Sequence, residues 1–96
     1  MDKLTLLKAA AWDAAQLATD AWALHKAARM EAWNVGYRIH WQEADGTTDI
    51  DEATERVDAH VMRDERVRET RRDAMRMQHA ARKAQKAVWS YTNANI

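Results

Sequence analysis

His40 and Glu43 stand three residues apart and His60 and Asp64 four apart, spacings at which each pair offers two metal ligands from one face of a helix. A bundle di-metal centre needs more, a Glu-x-x-His pair from each of two helices plus further carboxylates, and neither motif is present. His25 falls on an alanine seam, where a hydrogen-bonded core or interface histidine is expected, and His79 falls among cations. Ser90 is the only serine and has no histidine or carboxylate near it in sequence, so no nucleophile triad is indicated. The two glycines are isolated and make no phosphate loop. Cysteine is absent, which excludes disulfides and thiolate chemistry and fits a reducing compartment. The expectation is a non-enzymatic protein without a cofactor or metal.

One pattern could hold an anion. After Asp73 there is no acidic residue, and Arg68, Arg72, Arg76, His79, Lys83 and Lys86 recur at steps of three or four, a basic ridge along one helical face. Aligned cations suit phosphate backbones, but cations near a helix carboxy terminus are favourable in any protein. No base-reading motif accompanies them. Between Glu43 and Asp58 seven carboxylates face one arginine, an acidic tip that includes Asp45, Asp49, Asp51, Glu52 and Glu55. Lys plus Arg balances Asp plus Glu at 15 each, so any electrostatic function must come from this segregation rather than from net charge.

The elements that position these groups are helices. Twenty alanines, no proline and two glycines in 96 residues make a strongly helical composition, and the length suits a single helical domain. In the first third, Leu7, Ala14, Ala21, Ala28 and Val35 interleave with Leu4, Ala11, Ala18, His25, Ala32 and Ile39 as a heptad seam. Trp22 and Trp33 flank the seam as expected core residues. Trp12 and Met30 lie outside it and suggest a second contact surface. Helix one is expected over 3–34, with Gly36 as its left-handed stop.

Tyr37, Ile39 and Trp41 alternate with polar residues as a half-buried strand would, with two further helical turns as the other reading; an irregular or short extended connector is expected. Asp49 and Glu52 are spaced as a capping box for a second helix over 50–91. Its apolar residues change sides. Ile50, Ala53, Val57 and Val61 form one stripe, and Val67, Thr70, Ala74, Met77, Ala81, Ala84, Val88 and Tyr91 form another, about 150° away at 100° per residue.

The changeover lies in RDERVRETRRD, residues 63–73, nine of them charged. Carboxylates and arginines three or four apart can hold such a run helical, as a solvated waist. A sharp bend near residues 62–66, giving a compact three-helix monomer, is the alternative.

Two stripes on one helix and one seam on its partner imply a long hairpin completed as a bundle by dimerisation or another protein. Trp12, Met30, Trp41, Met77, Trp89 and Tyr91 are the expected partner-binding residues. The functional expectation is a protein–protein interaction module: a structural subunit, adaptor or small inhibitor. A nucleic-acid-binding protein using the basic ridge is the alternative. In size and simplicity alone, with no shared motif, the chain resembles small accessory proteins of phages and mobile elements. Lys8 and Asp13 interrupt the apolar amino-terminal run, so neither a signal peptide nor a membrane span is expected and the location should be cytoplasmic.

Overall fold

The computed structural model describes residues 2–42 and 49–94. Asp45 of the acidic tip lies outside the described residues, as does Glu43. Helix α1 runs over Lys3–Tyr37 and passes into a π-helical turn over Arg38–Gln42; α2 covers Ile50–Arg63 and α3 covers Glu65–Ala94. No strand occurs among the described residues. The described residues are thus all-helical, with three α-helices rather than the two expected.

Helix α1 begins where the Thr5 amide donates to Asp2 Oδ1 at 2.7 Å, an N-cap that also holds the Asp2 carboxyl below its usual range. It does not stop at Gly36. That glycine is buried inside the helix, and a Cβ there would lie 3.2 Å from the His60 ring. Its role is to admit a neighbouring side chain rather than to supply left-handed backbone. The expected extended connector over Tyr37 to Gln42 is also replaced by helix. Trp33, Tyr37 and Trp41 recur at four-residue steps and stack with centroids 5.1 and 5.8 Å apart, a column that only helical backbone can align.

Helix α2 starts at Asp49, whose carboxylate accepts from the Asp51 amide. The expected capping box does not form, because the Glu52 carboxylate pairs with Arg56 instead. The break at Asp64 is the decisive feature. Its backbone is extended, with ψ at 122°, and its amide donates to the last turn of α2 at Val61. Its Oδ1 accepts the Val67 amide at 3.0 Å, and its carbonyl accepts the Arg68 amide. One residue therefore closes α2 and caps α3. RDERVRETRRD is not a continuous helical waist.

The break resets the helical phase, and both apolar stripes turn toward α1. Ala53 and Val57 of α2 and Val67, Ala74 and Val88 of α3 are buried, as are Ala11, Ala18, His25, Ala28, Ala32 and Gly36 of α1. Ala28, Ala32 and Val67 form one cluster, with Val61 packed against it. The stripe expected to need a second chain is thus covered within this one. Ile50 departs from its stripe and is 65% exposed.

Helices α2 and α3 follow one another along α1 in an antiparallel rod of 67 × 19 × 15 Å. The bend therefore exists without producing a compact monomer: the radius of gyration is 20.3 Å, where a compact chain of this length gives about 12–13 Å. Among the described residues, no helix is long and apolar enough to cross a membrane.

Candidate docking groove

A rod built on a one-residue-wide seam of alanine and valine leaves its larger apolar side chains outside. On one flank, α1 and the α2–α3 junction enclose an open groove. The α1 wall is Trp22, Lys26, Arg29, Met30 and Trp33, placed by steps of three and four residues on one side of the seam. The opposite wall is a stripe crossing the break: Asp58 and Met62 from α2, then Arg68, Arg71, Arg72 and Met75 from α3. Five cations and one carboxylate thus border an indole and thioether surface. Met62 and Met30 are 73% and 59% exposed, and thioether walls of this kind adapt to varied occupants.

His25 forms the floor. It is 5% exposed, edge-on to Trp22 at 5.6 Å, and its Nδ1 lies 3.2 Å from Thr70 Oγ1. The Thr70 hydroxyl donates to the Arg66 carbonyl at 2.7 Å, with the Val67 carbonyl at 3.1 Å. Its lone pairs are therefore left for an Nδ1–H, which fixes a neutral tautomer. Burial lowers the His25 pKa below 6.5 and the charges of Arg29 and Arg71 lower it further, against an opposing hydrogen bond to the Val67 backbone.

The sign of the pH effect follows. Above pH 6.5 the ring is neutral in both folded and unfolded chains; below it the unfolded chain takes up the proton first, so stability falls with pH until the folded ring titrates too. Thermal melts at stepped pH should show a decline beginning near 6.5 that His25→Gln flattens. An unchanged pH profile in that variant would remove His25 from the account.

The opposite flank differs. There Glu31 on α1 pairs with Arg66 across the seam at 2.8 Å, both well exposed, so this pair contributes little, about 0–1 kcal/mol. Leu17 and Leu24, in heptad register with Glu31, are more than half exposed. That flank carries a matched ion pair and exposed leucines, where the groove is basic and rich in tryptophan and methionine.

The expected partner-binding residues separate into two sets. Trp12, Met30 and Trp89 are more than half exposed, at 67%, 59% and 65%, and of these Met30 lines the groove. Trp41 is half-buried in the aromatic column. Met77 is half-buried in the α3 seam, as is Tyr91, where the Lys3 ammonium lies 5.5 Å over the Tyr91 ring. These three side chains are partly covered by the fold itself.

The basic ridge is exposed along its whole length. Its first members, Arg68 and Arg72, belong to the groove, Arg76 pairs with Asp73, and His79, Lys83 and Lys86 continue toward the carboxy terminus. At the acidic tip, Asp49 serves as a cap and Glu52 holds Arg56, leaving Asp51 and Glu55 exposed on the side of Asp58.

Trp33, expected in the core, is 46% exposed in the groove wall. Lys26, Arg29, Arg71, Met62 and Met75 were not singled out by sequence. Their stripes on each helix are legible, but which stripes share a groove depends on the phase reset at Asp64. His40 and His60 do meet, edge-on at 6.2 Å. Among the described residues, however, no group of three or more potential metal ligands forms.

Comparison with family models, with curated proteins and with solved structures finds no match for this chain. The functional reading therefore rests on the geometry of the groove.

Proposed function

We propose that this chain is a non-enzymatic interaction module, a structural subunit, adaptor or small inhibitor, that docks a helical surface onto protein partners, copies of itself included. The observation that carries this reading is the groove: Trp33, Met30, Met62 and Met75 lie open to solvent between cations, on a rod whose own seam is already filled. Exposed indole and thioether surface beside arginine is the composition of interface hot spots. A cytoplasmic setting belongs to the same proposal and fits the cysteine-free composition.

Nucleic-acid binding is the second reading, favoured by one observation: the ridge from Arg68 to Lys86 is exposed throughout. Two of its cations are shared with an apolar groove, which suits an amphipathic protein surface better than a phosphate backbone.

Affinity capture from the source cells, run in parallel with the wild-type chain and Trp33→Ala/Met62→Ala, separates the two readings. Stoichiometric protein, self or other, that survives nuclease and is lost in the double variant is the expected result. Capture that disappears on nuclease treatment, or that the double variant leaves unchanged, would overturn the interaction reading.

A further inference from the structure

The charges bordering the groove follow an order along the rod. On α2, Asp51, Glu55, Asp58 and Met62 are spaced by four, three and four residues, a single helical stripe whose last two members line the groove. Beyond the break, Arg68, Arg71, Arg72 and Met75 continue the same wall. The wall thus runs acidic, apolar, basic. Asp58 and Arg68 lie five residues on either side of position 63, and Glu55 and Arg71 lie eight on either side. On α1 the wall is Lys26, Arg29, Met30 and Trp33, and Trp33 lies level with position 63, since Glu31 meets Arg66 and Gly36 meets His60.

An order that reads as its own complement when reversed is what a two-fold interface requires, where each residue i meets j and each j meets i. We propose that the groove is the interface of an antiparallel homodimer, with a second copy of this chain turned about a two-fold axis that passes close to Met62 and Trp33. This rests on the interaction-module reading and names the occupant of the same groove.

Rotation about an axis lying in the groove's plane and perpendicular to the rod keeps each wall over its own counterpart and reverses its direction. Glu55 and Asp58 of one copy then face Arg71 and Arg68 of the other, twice over. Met62 and Trp33 of both copies, at the level of the axis, supply the apolar centre with Met30 beside them. A parallel alignment would instead set arginine against arginine.

The size is adequate. Asp51 to Met75 covers about 36 Å at 1.5 Å per residue, over half of the 67 Å rod. Across a rod 19 Å wide the overlapping face is about 700 Å², close to the 800 Å² or so per partner of a standard stable interface. The one end of each rod beyond the overlap, where Trp12 and Trp89 are exposed, remains open to other partners.

The test is a charge exchange read by solution mass. The wild-type chain at about 0.1 mM, well above a micromolar Kd, should run at twice 11.1 kDa. Arg68→Glu/Arg71→Glu and Glu55→Arg/Asp58→Arg should each weaken self-association by about 100-fold or more, since both reversals place like charges across the axis. Mixed one to one, the two variants should recover the dimer, because every acidic site of one then faces a basic site of the other; an unfolded variant cannot give that recovery. A wild-type monomer, a dimer that either variant leaves intact, or a mixture that stays monomeric would each overturn the two-fold proposal. A monomer whose capture of another protein depends on Trp33 and Met62 would overturn the two-fold interface while leaving the interaction reading standing.

Discussion

Ala74→Leu is expected to destabilise the chain by about 1–3 kcal/mol, although leucine is the more hydrophobic side chain and almost as good a helix former. Ala74 has no exposed surface and sits in the α3 seam against a face of α1 whose buried members are alanine, glycine and histidine. Small side chains there let the two backbones approach closely, so there is no slack into which three further carbons can move. Leucine must either force the helices apart, breaking the packing of Val67 and Val88 on either side, or leave its rotamer well. A chain of this size has about 5–15 kcal/mol in hand, so the loss is a large share of it, and the melting temperature should fall by roughly 5–20 °C. Urea denaturation of Ala74→Leu beside Ala80→Leu, an exposed position on the same helix, isolates the effect, since the control should stay within about 0.5 kcal/mol of wild type. Equal stability of the two variants would show that the seam is loose and that the alanines serve helix propensity alone.

The alanine seam that makes this prediction possible was legible because periodicity is a property of one helix at a time. Val67, Thr70, Ala74, Met77, Ala81, Ala84, Val88 and Tyr91 are all buried or half-buried as their spacing implies. On α1 the seam drifts from Val35 and Ile39, which are exposed, to Ala32 and Gly36, which are buried, as a 3.6-residue period drifts against a heptad.

What the sequence left ambiguous was phase between helices. Taken by spacing alone, the apolar stripe that changes sides near Asp64 fits one helix with two docking faces, whereas the change of side is itself the mark of a break. Asp64 is a good cap, but its charged neighbours are all good helix formers and mask it. Tyr37, Ile39 and Trp41 fit a strand period, while Trp33, Tyr37 and Trp41 fit a helical one, and ring stacking decides for the helix. The groove suffered most. Trp22, Lys26, Met30 and Trp33 form a visible stripe, but its pairing with Met62 and Arg71 exists only after the break has turned α2 and α3 onto the same helix.

Asp64→Ala should therefore cost more than a lost cap. The cap alone is worth about 0.5–2 kcal/mol. Alanine also removes the residue that competes with helix continuation and replaces it with the best helix former. An uninterrupted helix from Ile50 to Ala94 would carry its two stripes about 150° apart, so only one could stay on α1. Helix α3 is 30 residues long and α2 only 14, so α2 should yield and expose Ala53 and Val57. Burial of a valine is worth about 1.5–3 kcal/mol, and the expected total is about 2–4 kcal/mol. The loss should be local: amide exchange should lose protection over α2 while α3 keeps its own, and Asp64→Asn, which preserves a capping oxygen, should remain near wild type. The groove should lose its Asp58 and Met62 wall in the same variant, so self-association should weaken without any groove residue having been changed. Retained protection across α2 in Asp64→Ala would mean that packing on α1, with the His60 ring lodged beside Gly36, dictates the break and that the carboxylate only stabilises it.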